Sequence, residues 1–191
     1  MQHIRPKTTE WFTYFPEDYR WSAAIGGMLG LAVVGASDMG EIDRTARKLK
    51  NKLGDDEAWF FTWQELGDEL KQKADDCRNR GHTISASVFY LRASCYYQWG
   101  ERFRTVKDDH ALNVYRKSVE CFHEHAQLSI SPKIEIVEVP YEGNFLPGYF
   151  VHAENTNKSK NPTMIFFDGL DITKELQYAR GVPELIKRGF S

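Results

Sequence analysis

The residue types that do chemistry are present but scattered. Cys77, Cys95 and Cys121 stand far apart, with no CxxC or Cys/His ligand spacing, which argues against a zinc site and against a disulfide framework. Each falls in a helical pattern, where cysteine serves as a small buried apolar side chain. Reduced thiols fit a cytoplasmic protein. Of the histidines His3, His82, His110, His123, His125 and His152, the pair His123 and His125 lies two apart on a predicted helix and points to different faces, a poor arrangement for sharing a metal. All six read as surface or packing residues, and neither a metal nor a cofactor is expected. A serine nucleophile on a strand–helix elbow needs GxSxG, a pattern found nowhere in the chain. Ser22, Ser37, Ser85, Ser87 and Ser94 sit in helical patterns, and Ser129 and Ser131 precede a strand. Asp171 stands just before a helical pattern starting at Ile172. It reads as an N-cap, with Glu175 in the first turn favouring the helix dipole.

The bulk of the chain narrows the partners. Its 191 residues carry 25 basic and 27 acidic side chains, a net charge of −2, which leaves no electrostatic footprint for nucleic acid or an anionic membrane. Apolar residues at 41% and aromatics at 14% are ample for a packed core. Residues 22–37 are small and apolar throughout, but shorter than the roughly 20 residues a membrane span needs. They follow Glu17, Asp18 and Arg20 rather than a basic start, so a signal peptide is not expected. A buried helix or helix–turn is.

Residues 38–125 are helical in period. Ile42, Ala46, Leu49 and Leu53 make one stripe ended by Gly54. Asp55 and Asp56 cap a second helix carrying Trp59, Phe60, Trp63, Leu66 and Leu70, which stops near Asn79-Arg80-Gly81. A third helix over 83–103 carries Val88, Leu91, Cys95 and Trp99. A fourth follows Asp108-Asp109, with Leu112, Tyr115, Val119 and Phe122 in register. Helices of this length joined by short turns make a bundle or a short helical repeat, and no second copy at a fixed period favours the repeat. The character changes at Ser131-Pro132. Residues 133–139, KIEIVEV, alternate as a half-buried strand. Pro140, Gly143 and Asn144 mark a turn, and residues 146–152 return as a hairpin. After a polar loop over 154–161, MIFFDG reads as a short strand buried on both faces. Residues 172–188 then read as a crossover helix with Leu176, Ala179, Leu185 and Ile186 inward. A crossover helix exists to reach a parallel strand, so the chain reads as interrupted.

A helical front, the stretch PKIEIVEVPYEGNFLPGYF, then MIFFDGLDITKEL and LIKRGFS together resemble the cap-bearing α/β-hydrolases. The groups nearest in pattern are the 2,6-dihydroxypseudooxynicotine hydrolases, the fungal hydrolases that shorten polyketide pigments, and esterases of the fermentation–respiration switch type. The resemblance implies a truncated α/β-hydrolase. Residues 1–131 would be an α-helical cap domain, and 132–191 the first hairpin, third strand and first crossover helix of the catalytic sheet. It further implies that Asp168-Gly169-Leu170-Asp171 is the loop after the third strand. There Gly169 and the N–H of Leu170 would contribute to an oxyanion hole, which stabilises charge developing on an acyl oxygen by several kcal/mol. Asp171 would be an auxiliary acid facing the substrate. The implied substrate is a small molecule, aromatic or polyketide-like, with neither nucleic acid nor membrane as partner and a homodimer compatible with the pattern. The aromatics of the second and third helices suit either a substrate lid or a packed bundle, and their spacing favours the bundle for most.

The leading expectation is therefore the N-terminal part of a serine hydrolase acting on an ester or an activated carbon–carbon bond, without its nucleophile and inactive alone. The alternatives are a non-catalytic helical binding module and a pseudo-enzyme.

Overall fold

The computed structural model describes residues 13–157, 160–167, 169 and 171–191. Helix α1 (Tyr19–Gly30) is followed by a 3-10 turn (Leu31–Val34), then α2 (Met39–Arg47), α3 (Asp56–Asn79), α4 (Thr83–Glu101) and α5 (Asp109–Leu128). Aspartates start the helices. Asp18, Asp38, Asp55 and Asp108 accept from backbone N–H groups in the first turns of α1, α2, α3 and α5, satisfying donors that no intrahelical carbonyl can reach. The stop after α3 is Gly81 at φ 78°, where the His82 N–H returns to the Cys77 carbonyl at 2.8 Å.

Helix α4 is the centre of the helical layer, packed against α3 on one side and α5 on the other. Tyr90, Leu91 and the whole run from Ala93 to Gly100 are buried, as expected of a helix covered all round. Glycine permits the close approach: a Cβ at Gly67 of α3 would stand 2.5 Å from the Tyr97 ring, and one at Gly27 of α1 2.6 Å from Trp99. The phenols reach carboxylates at the rim, Tyr90 to Asp75 at 2.6 Å, Tyr96 to Glu41 at 3.0 Å and Tyr97 to Asp68 at 2.6 Å. Trp59, Phe60, Trp63, Tyr90, Tyr96 and Tyr97 are thus core, while Phe61 is exposed.

Two helical readings shift. Helix α2 stops at Arg47, before Leu49; Leu49 is still buried, and Leu53 is exposed. On α5 the inward stripe is Ala111, Val114, Ser118, Cys121, Phe122 and His125, with Leu112 facing solvent. Residues 22–37 form most of α1 and the 3-10 turn, as the sequence implied.

Beyond the cis peptide at Ser131-Pro132, strands β1 (Ile134–Tyr141) and β2 (Asn144–Val151) pair antiparallel from Ile134↔Val151 to Tyr141↔Asn144. The two-residue turn Glu142-Gly143 has φ 46° and 77°, the left-handed pair that suits strand twist. Here the structure departs from expectation. Residues 164–167 form no strand, and their side chains are exposed, Phe167 at 86%. A strand buried on both faces needs neighbours along both edges. The described backbone bonds instead involve Ser191: Met164 N–H donates to its carbonyl, and its own N–H donates to the Pro162 carbonyl. The crossover helix is also two short ones, α6 (Lys174–Ala179) and α7 (Val182–Ile186). Gly181 at φ 156° and Pro183 in the first turn of α7 break it, since proline removes a helical donor. Leu176, Ala179 and Ile186 are inward as expected.

Candidate functional site

Helix α6 brings its own start to the end of α4. Thr173, not Asp171, is its N-cap: the Thr173 hydroxyl accepts from Leu176 N–H at 3.4 Å. It also donates to Gln98 Oε1, while Gln98 Nε2 donates to Ser118 Oγ at 2.8 Å. The capping reading of Asp171 is thereby corrected. Its side chain, 65% exposed, is turned towards Arg102 of the α4 C-cap, with Arg102 Nη2 3.5 Å from Oδ2 and Nη1 donating to the Asp171 carbonyl at 3.3 Å. The Arg102 guanidinium lies over the rings of Trp99, at 5.2 Å, and Phe103, at 6.0 Å. Between these groups is a cavity of about 40 Å³, walled by Gln98, Trp99, Arg102, Tyr115, Asp171 and Thr173 among others.

Of the other expected site residues, Gly169 is exposed, and a Cβ built there would meet no described atom within 4 Å. Packing among the described residues therefore does not demand the glycine. Leu170 and Asp168 lie outside the described residues.

Next to this site is a charged cluster that the sequence did not disclose. Glu175, predicted only as a first-turn acid, is 1% exposed. Its Oε1 accepts from the Tyr149 hydroxyl at 2.6 Å and pairs with Lys174 Nζ at 2.8 Å, and Oε2 is buried with no hydrogen-bond partner among the described residues. Burial pushes this carboxyl up, but Lys174 and the Tyr149 hydroxyl outweigh it and hold Glu175 below the ordinary glutamate value. His123 Nε2 completes the chain, 3.1 Å from the Tyr149 hydroxyl. Tyr149 and Glu175 are 26 residues apart, and no local pattern encodes that pairing.

His125, two residues on, is buried against Ser87, its Nδ1 3.1 Å from the Ser87 carbonyl. Burial pushes its pKa down to about 4, partly opposed by that bond. The thiols of Cys95 and Cys121 are buried and pushed up to about 12, the state of inert packing residues.

A far larger concavity, about 610 Å³, lies between the hairpin, residues 163–167 and α6–α7. Its walls are apolar, including Val137, Phe150, Met164, Tyr178 and Val182. With Thr163, Lys174, Gln177 and Ser191 as the polar members of a mostly apolar lining, it reads as an exposed sheet face rather than a reaction site. Among the described residues no group of three or more His, Cys, Asp or Glu could hold a metal ion, and no helix is long and apolar enough to cross a membrane.

No protein-family model matches the chain. It is similar to the hydrolase acrC of Aspergillus aculeatus, 27% identical over 94% of this chain and 45% of that protein. It is also similar to the α/β-hydrolase ucsC of an Acremonium species, 25% identical over 87% of this chain and 37% of that one. Among solved structures, the fold matches the 2,6-dihydroxy-pseudo-oxynicotine hydrolase with a TM-score of 0.66 at 22% identity, over 85% of this chain and 43% of the other. The chain is thus related to the α/β-hydrolases over the N-terminal portion of those proteins. It spans less than half the length of each relative named here, and its described part is helix-rich with a two-stranded sheet.

Proposed function

We propose that this chain is the N-terminal part of a serine α/β-hydrolase acting on an ester or an activated carbon–carbon bond. Residues 1–131 form its helical cap and 132–191 the start of its catalytic domain. Gly169 and the Leu170 N–H belong to the oxyanion loop, and Asp171 is the auxiliary acid that assists proton transfer or holds a substrate hydroxyl. The observation that carries this reading is the Asp171 carboxylate: Thr173 takes the capping duty, and Asp171 pairs with Arg102 in the lining of a small cavity at the end of α4. The hydrolase names of the relatives support the reaction class. The substrate is a small molecule, aromatic or polyketide-like, and the setting is cytoplasmic.

The nucleophile, its acid and its histidine belong to residues beyond these 191, so the chain alone is inactive. It should neither turn over p-nitrophenyl esters nor be labelled by a fluorophosphonate. Stoichiometric labelling would overturn this assignment. Reading the coding sequence past the Ser191 codon tests the rest. A GxSxG followed in order by an acid and a histidine supports the enzyme, whereas an immediate stop codon favours a binding module or pseudo-enzyme. In the extended protein, Asp171→Asn should lower kcat by about 10²-fold or more, the scale of a positioned proton-transfer group.

A further inference from the structure

The start of α6 is held by one buried carboxylate. Glu175 is 1% exposed, and its Oε1 is where two donors meet, the Tyr149 hydroxyl of β2 at 2.6 Å and Lys174 Nζ at 2.8 Å. Held below the ordinary glutamate value, this carboxyl is ionised at neutral pH and has no hydrogen to give. A phenol has one hydrogen, and Tyr149 gives its own to Glu175. The 3.1 Å contact between the Tyr149 oxygen and His123 Nε2 is therefore closed by a hydrogen on the imidazole. The order of donation is fixed: His123 Nε2–H to Tyr149, and Tyr149 O–H to Glu175. It runs from α5 of the helical layer, through β2, to the first turn of α6. A proton added to Nδ1 of His123 leaves every one of these donors in place.

Packing holds the middle of this chain still. The Tyr149 ring lies 4.6 Å from the Phe122 ring and edge-on to His123 at 5.8 Å, with Lys174 Nζ over it at 5.5 Å. The other charged and titratable groups acting on the chain are Glu120 and Lys174 at His123, and Tyr115 at Tyr149. Glu175 Oε2 has no partner among the described residues, so Tyr149 and Lys174 carry the compensation for burying the charge. Two residues earlier, Thr173 is tied to Gln98 of α4, and Asp171 lies two residues before that. We propose that Glu175 is a positioning residue for the loop that carries Asp171, held from the helical layer through the Tyr149 hydroxyl and the His123 imidazole. The inference rests on that loop belonging to the reaction site, as in the function proposed above. It makes α5 part of the loop's setting. Loss of the hydroxyl on β2 or of the imidazole on α5 loosens residues 171–173, although the hydrogen bonds of both end at Glu175.

NMR of the 191-residue chain tests this without catalysis. Tyr149→Phe removes one oxygen from the chain and little volume. Backbone amide order parameters at Asp171, Ile172 and Thr173 should fall from about 0.85, the rigid value, to below about 0.6, while residues 85–99 of α4 stay rigid and report that the fold is kept. His123→Leu should loosen the same three residues, and His123→Gln, which can still donate an N–H to Tyr149, should restore them. Should Tyr149→Phe lose the fold, the His123 pair decides by itself. The second readout is the carbon-13 signal of the Glu175 carboxyl followed against pH. Its midpoint should rise by about one pH unit in Tyr149→Phe, the scale of one hydrogen bond to a charged group, which a loss of packing alone would not produce. Rigid residues 171–173 in Tyr149→Phe and His123→Leu, equal loosening in both His123 variants, or an unmoved Glu175 midpoint would overturn the positioning role. The hydrolase assignment fails separately: a stop codon after Ser191 removes it while leaving the order parameters and the Glu175 midpoint as they are.

Discussion

Single side chains packed around α5 couple protonation to folding. His125 is neutral in the fold because burial opposes its charged form, and its value of about 4 lies below the usual 6.5. The unfolded chain therefore takes up a proton first as pH falls, and stability declines from about pH 6.5 down towards pH 4. The full loss is on the order of 3 kcal/mol, because each pH unit between the folded and unfolded pKa values is worth about 1.36 kcal/mol. Urea unfolding at pH 7 and pH 5 should show about 2 kcal/mol of this loss in the wild type, with a clearly smaller pH dependence in His125→Gln. Equal pH dependence in the two proteins would place the sensitivity elsewhere. Glu175 works in the same direction at lower pH. Held below its ordinary value, it stabilises the fold at neutral pH and ceases to do so in acid.

Among the elements, the start of α6 divides two duties between near neighbours. Thr173 caps the helix and ties it to Gln98 of α4, so Thr173→Ala should lower stability by at least about 1 kcal/mol, the usual cost of a lost cap. Asp171 is exposed and paired only loosely with Arg102, so Asp171→Ala should stay within about 0.5 kcal/mol of wild type, as surface substitutions do. Denaturant midpoints of the two variants decide the matter, and the reverse order would return the cap to Asp171. The break between α6 and α7 follows from Gly181 and Pro183, residues visible in the sequence but outvoted there by the spacing of Leu176, Ala179 and Ile186.

Across the molecule, burial is unevenly shared. Trp21, Trp59, Trp63, Tyr90, Tyr96, Tyr97 and Phe60, all among the largest fully buried side chains, belong to α1, α3 and α4. The face formed by the hairpin and residues 163–167 is open and apolar. Opening free energy follows such differences in packing. Amide exchange should be fast over residues 164–167 and slow over 85–99, approaching the global unfolding rate in α4. Equal protection in both segments would mean that the apolar face is covered in solution. Uncovered, it also makes the chain prone to self-association.

What short-range physics encodes was legible in the chain before any fold was known. Asp55 and Asp108 marked helix starts because an aspartate before an apolar period satisfies orphan N–H groups. Alternation in KIEIVEV and the glycine turn pointed to the hairpin, and the aromatic spacing on α3 and α4 to the core. The order of elements carried the resemblance to the α/β-hydrolases that the comparisons then supported. Packing settled the rest. MIFFDG has strand composition, yet a strand forms only when other strands take its N–H and C=O groups, and none does so among the described residues. Leu112 and Val114 both fit a helical stripe on α5, and only the line along which α4 packs selected Val114. Asp171 and Thr173 are both good caps by type, and the hydroxyl's bond to Gln98, 75 residues away, fixed which one serves. The meeting of Arg102 with Asp171 across 69 residues is likewise invisible in one dimension. Periodicity states which side chains share a face, but the neighbour that covers that face is chosen by folding.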